Sequence, residues 1–132
     1  EVKGKLVPKE TMAITMINPE ELKQHSFFES HCWAKLKAII FCAVAWHGKN
    51  AEKAELLKVT SLDFLETDSL IQEIKADYDF IRNKLIKKGF KSLTGLDGKW
   101  IQARTKGAGH GSTSRAFYAR TSLVKKIFEI AR

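Results

Sequence analysis

Apolar and polar positions along the chain change period several times, and each change marks an element. Glu1 to Val7 reads as a strand, Pro8-Lys9 as a turn and Glu10 to Ile17 as a second strand, with Met12, Ile14 and Met16 alternating against Ala13, Thr15 and Ile17. The two would form a hairpin. Asn18-Pro19-Glu20-Glu21 has the form of a helix start, an Asn cap followed by Pro and then acids in the first turn. That helix is short, and Ser26 to His31 reads as irregular. Lys37 to Trp46 (KAIIFCAVAW) is a continuous apolar run and predicts a central strand buried on both faces. His47 to Asn50 is a loop, and Glu55 to Leu65 is a further strand, with a bend.

The clearest helix opens at Asp68-Ser69. Leu70, Ile71, Ile74, Tyr78, Ile81, Leu85 and Ile86 recur at helical spacing until Gly89, the natural stop. Asp97-Gly98 is a hairpin-turn signal between Phe90–Leu96 and Lys99–Arg104. Ala116 to Ala119 is a short strand. Thr121 to Ala131 is a final amphipathic helix with Leu123, Val124, Ile127 and Phe128 on one face. No repeat or linker interrupts the series. One α/β or α+β domain with a mixed sheet follows, and 132 residues suffice for one core.

Composition changes this picture mainly through charge. Residues 1–80 hold 10 Lys+Arg against 13 Asp+Glu, whereas residues 81–132 hold 13 against 2, so a net −3 half precedes a net +11 half. Such asymmetry points to a polyanion, with a merely solvated basic face as the bland alternative. No apolar run approaches the roughly 18 residues of a membrane span, so no membrane association is expected. The amino end, Glu-Val-Lys-Gly, is not a charged head followed by an apolar run, which fits a cytoplasmic protein. Cys32 and Cys42 sit beside or inside apolar sequence and read as free, buried thiols rather than a disulfide or ligand pair.

The densest chemistry lies in Ala103 to Arg120, ARTKGAGHGSTSRAFYAR. Arg104, Lys106, Arg115 and Arg120 flank Gly107, Gly109 and Gly111, His110 sits within the glycines, and no acid is present. Glycines let main-chain N–H groups approach phosphates, while arginines reach base edges. If the flanking strands pair across the loop, Phe117 points inward and Tyr118 faces out beside Arg104; the alternative places both rings in the core. Elsewhere, Glu1-Val2-Lys3 is an E-x-K on a strand, with Glu1 and Lys3 on one face about 7 Å apart. A carboxylate there can bind a divalent cation, and the lysine can orient water, although E-x-K recurs by chance in most proteins. Lys35 and Lys37 precede the apolar strand. One could enter a phosphate-binding cleft, or both could be solvated at a strand edge. His25, His31, His47 and His110 lack zinc-ligand spacing, and the G-x-G-x-G tract lacks the helix and acid of a dinucleotide fingerprint.

Taken in order, E-V-K, E-T-M-A-I-T, S-H-C-W-A-K-L-K, D-Y-D-F-I, W-I-Q-A-R-T-K-G-A and R-A-F-Y-A-R resemble the MutH-like family of DNA endonucleases, which includes a mismatch-repair nickase and type II restriction enzymes. Each motif alone is weak or moderate; the ordered set, from Glu1 to about Phe128, is specific. The resemblance implies a restriction-endonuclease-like mixed sheet flanked by helices. In it Glu1 and Lys3 fall on the acid and lysine of the family's metal motif, with Glu1 a ligand of Mg²⁺, and Lys35 falls on a further active-site lysine. Arg104 and Tyr118 match positions at the DNA interface, and Lys106, Gly107 and the following glycines match a groove-entering loop. Ala13 stands where the nickase has an aromatic, and T-K-G-A with the long Gly/Ser loop is closer to the restriction-enzyme branch. The family's upstream Asp and amino-terminal helix are not in this sequence, so a fragment of the domain, inactive alone, is expected.

The leading expectation is a Mg²⁺-dependent, sequence-specific endonuclease of type II restriction character, acting on double-stranded DNA as a monomer or homodimer. Its DNA contacts would come from Arg104, Lys106, Gly107, His110, Arg115, Tyr118 and Arg120. The rivals are a catalytically inactive DNA-binding module of the same fold, a mismatch-repair nickase with a repair partner, and an RNA-binding basic domain.

Overall fold

A computed structural model describes residues 11–37, 40–47, 53–61, 64–105 and 114–130, with 40–47 and 53–61 described by their backbone alone. The first expected strand, its hairpin and the glycine-rich loop lie outside these residues.

Two antiparallel sheets are present among the described residues. Strands β1 (Met12–Met16), β4 (Ile101–Thr105) and β5 (Arg115–Ala119) form the first, in the order β1-β5-β4. Strands β2 (Ile40–His47) and β3 (Lys53–Ser61) form the second. The helices are α1 (Pro19–Gln24), α2 (His31–Lys37), α3 (Ser69–Lys88) and α4 (Thr121–Ile130). Every described strand pairing is antiparallel, which differs from the single mixed sheet expected from the sequence. The architecture is α+β.

Local chemistry accounts for most of these elements. Asn18 Oδ1 accepts from the Glu20 and Glu21 amides at 3.0 and 3.2 Å and starts α1 as its sequence predicts. At the other end of α1, Arg82 of α3 donates to the Leu22 and Lys23 carbonyls at 2.8 and 2.7 Å, satisfying acceptors that a short helix leaves open. Helix α3 runs from its cap Asp68 to Gly89, whose φ of 87° breaks the helix where expected. Leu70, Ile71, Ile74, Tyr78, Ile81 and Leu85 are its buried stripe, while Ile86, counted in that stripe from spacing, is half exposed.

Three further expectations are corrected. The alternation predicted for Glu10–Ile17 breaks at a β-bulge. Ala13 pairs with Tyr118 and Thr15 with Phe117, so Ile14 is the extra residue. Parity flips there, leaving Ile14 and Ile17 buried and Met16 45% exposed. The apolar strand begins at Ile40 rather than Lys37, because Cys32, Trp33 and Leu36 form a buried helical face in α2. Lys35 and Lys37 therefore lie on a helix and not at a strand edge; the supposedly irregular stretch before them is a 3-10 turn at Phe27–Glu29 leading into α2.

Phe90–Leu96 is not a strand, and Asp97-Gly98 does not close a hairpin. Phe90–Ser92 is a 3-10 turn and only Leu93 is deeply buried there, so the segment has one apolar anchor rather than an alternating face. Asp97 is held by Lys84 at 2.7 Å, and the Asp77 carboxylate on α3 accepts from the Lys99, Trp100 and Ile101 amides at 2.9, 2.6 and 3.1 Å. These bonds tie residues 97–101 to α3 and leave no edge for a hairpin partner.

The core lies between α3 and the inner face of the three-stranded sheet. Tyr78 is fully buried, stacks on Phe117 of β5 with centroids 5.6 Å apart, and meets Phe27 at 5.3 Å. Phe27 in turn packs on Trp33 of α2. Leu123 and Ile127 of α4 join the same cluster.

Candidate nucleic-acid interface

Because Phe117 points into the core, its strand neighbour Tyr118 points the other way. Pairing places Tyr118 between Ala13 of β1 and Gln102 of β4, and places Arg104 opposite Ala116. Ala13, Met16, Gln102, Arg104 and Tyr118 thus share the outer face of the sheet. Arg104 and Tyr118 are diagonal neighbours, and the guanidinium carbon lies 5.3 Å from the tyrosine ring centroid. Arg104 Nη1 reaches across that ring to donate to Thr11 Oγ1 at 2.8 Å. The juxtaposition expected from pairing across the loop is present, with Phe117 inward and Tyr118 outward.

The geometry suits recognition of a planar, electron-rich group. A guanidinium has five N–H donors in a rigid fork, and Tyr118 and Thr11 hold this one on a sheet face where Arg104 is exposed while Gln102 and Ala116 are buried. Thr11 is a contact that sequence reasoning missed. It lies 93 positions from Arg104, and no local pattern connects them.

The other candidate residues distribute unevenly. Arg115 lies on the opposite face from Tyr118, with its guanidinium over the Phe90 ring at 5.6 Å and Nε donating to the Leu93 carbonyl at 3.4 Å. Arg120 follows β5, and its guanidinium is turned into the 95–98 loop. Lys35 is exposed on α2, which packs against β1. Glu1, Lys3, Lys106, Gly107 and His110 lie outside the described residues. Among the described residues no group of three or more His, Cys, Asp or Glu converges as a metal site, and the expected ligand Glu1 is not among them. Cys32 is free and buried; burial, reinforced by Glu21, pushes its thiol well above the ordinary range, which makes it a packing group rather than a nucleophile. No helix among the described residues is long and apolar enough to cross a membrane.

The ordered sequence motifs point to the DNA-cleaving enzymes as a class. Comparison with known families gives the same answer: the profile of the DNA mismatch repair enzyme MutH matches residues 1–77, more than half of the 132 positions. The chain belongs to the MutH family, a family of DNA endonucleases. The matched span contains Glu1, Lys3 and Lys35 and ends within α3, before Arg104 and Tyr118. No curated protein matches the chain.

Proposed function

We propose that this protein is a Mg²⁺-dependent, sequence-specific endonuclease of the type II restriction class, in which residues 1–132 belong to one domain with a restriction-endonuclease-like fold, and which hydrolyses phosphodiester bonds of double-stranded DNA as a monomer or homodimer. The observation that carries the reading is family membership across the span holding Glu1-Val2-Lys3 and Lys35. In this reading Mg²⁺ held by Glu1 supplies the positive charge that polarises the scissile phosphate. Lys3 orients the attacking water, and Lys35 stabilises charge on the phosphate. The outer sheet face reads the site, and Arg104 makes the bidentate contact that arginine offers to guanine O6 and N7. Lys106, Gly107 and His110 add further contacts to the DNA.

Unmethylated and methylated supercoiled plasmids incubated with the intact protein, carrying the family's upstream Asp, and Mg²⁺ test this directly, with cuts mapped to the base. The expected product is linear DNA with one recurrent cut sequence. Lys3→Ala in the intact protein is expected to lower cleavage by at least about 10²-fold while leaving DNA binding largely intact. Full cutting by that variant overturns the assignment. The family's description as a mismatch repair enzyme favours a second reading, a nickase; nicked circles without linear product would select it.

A further inference from the structure

We infer that Arg120 is a positioning residue for the Arg104 guanidinium, acting through the loop at residues 95–98, and does not itself contact DNA. The inference rests on the reading of the outer sheet face as the DNA interface.

The geometry runs in a chain. Arg120 Nε donates to the Gly98 carbonyl at 2.9 Å, and Nη2 donates to the Gly95 carbonyl at 2.6 Å and the Asp97 carbonyl at 3.4 Å. Its own amide donates to the Trp100 carbonyl at 2.8 Å, so backbone and side chain grip the same loop. Gly95 is where that loop meets the reading face. A Cβ built there would lie 3.5 Å from Arg104 Cγ and 3.6 Å from Gln102 Oε1. The backbone at Gly95 thus faces the stem of Arg104 across a gap that one Cβ would fill, and the head continues over Tyr118 to Thr11.

The neighbouring braces act elsewhere on the loop. Asp77 holds the Lys99, Trp100 and Ile101 amides, and Lys84 and Thr94 hold the Asp97 side chain. Arg120 supplies the hydrogen bond to the Gly95 carbonyl. It also bridges Gly95 to Gly98, which suits a planar fork and not a point charge. Nε and Nη2 of Arg120 are committed to the Gly95, Asp97 and Gly98 carbonyls, and swinging the guanidinium out to a phosphate would strip the donors from all three.

The test separates a phosphate contact from a positioning role. The probes are a short fluorescent duplex carrying the sequence selected by binding from a randomised pool, and a scrambled duplex of equal length. Anisotropy titrations across a KCl series compare wild type, Arg104→Ala, Arg120→Gln, Arg120→Lys and the Arg104→Ala/Arg120→Gln double variant. Circular dichroism confirms folding of each. A phosphate contact contributes about 0.9 to the slope of log K against log salt and is felt equally by both duplexes.

We expect Arg120→Gln to keep the wild-type slope and scrambled-duplex affinity but to lose about tenfold on the selected duplex. Arg120→Lys should lose affinity likewise despite keeping its charge, and the double variant should bind no more weakly than Arg104→Ala alone. A slope lower by about 0.9, retention of affinity by Arg120→Lys, or additive losses in the double variant overturns the inference. If Arg104→Ala binds the selected duplex as wild type does, the reading of the face itself falls, and the inference with it.

Discussion

At Gly98 the backbone turns with φ 93°, and a Cβ placed there would run into the Ile101 carbonyl oxygen. Both facts demand glycine, one through conformation and the other through space. Gly98→Ala is expected to destabilise the fold on the order of 3 kcal/mol, read as a lower urea midpoint with an unchanged slope. This residue was visible in the sequence as half of an Asp-Gly turn, but its role was not. The signal named a tight turn but joined the wrong elements, a hairpin between Phe90–Leu96 and Lys99–Arg104, where the structure has a 3-10 turn at Phe90–Ser92. Asn18 is the contrasting case, because a cap is satisfied within three residues of itself and all its information is local. Asp77 is the opposite extreme: it reads as one more polar position on a helix, yet it organises three amides more than twenty residues away.

Elements were legible in proportion to how far their buried stripe extends. Helix α3, with twenty residues, one regular stripe and a glycine stop, was read almost to its ends. The segment after it was misread because two short apolar clusters and an Asp-Gly resemble a hairpin until the partners of Asp97 are known. That carboxyl illustrates how the pieces are joined. Burial would raise its pKa, but the hydrogen bond and charge of Lys84, aided by Thr94, outweigh burial and hold it below the ordinary 3.8. A carboxyl lowered in the folded state contributes stability that is complete above its unfolded pKa and is lost as pH falls through the folded value. Acid titration followed by circular dichroism should therefore show stability falling below about pH 4, and Asp97→Asn should flatten that limb while lowering stability at neutral pH.

For the whole molecule, the strongest bulk signal is a carboxyl-terminal half of net charge +11, several of whose cations are engaged within the fold. Arg82 caps α1, Lys84 pairs with Asp97, Lys99 reaches Glu73 and Arg120 grips a loop, so a good part of the basic excess is internal carpentry. Composition counts charges but cannot say where their heads point. The Arg104–Tyr118 pair was legible because strand alternation and pairing fix it, whereas Thr11 was not, because it arrives from the far end of the chain. What joins these parts is the aromatic cluster of Phe27, Trp33, Tyr78 and Phe117, which links α2, α3 and β5. Phe117→Ala is expected to cost about 3–5 kcal/mol. Far-ultraviolet and near-ultraviolet signals should be lost together at a lower temperature. Selective loss of one signal would show that the cluster does not unite the fold.

The strand order β1-β5-β4 has a consequence for the timing of synthesis. Among the described residues, 12–16 pair with 115–119, so at about 5–20 residues per second a ribosome emits β1 some 5–20 seconds before β5 exists. Tyr118 and Arg104 come from the late stretch, and their supports on β1 wait for them. A nascent chain that already carries Glu1, Lys3 and Lys35 still lacks the face that bears Arg104 and Tyr118. If that face reads DNA as proposed, the order of the strands delays recognition to the last part of translation.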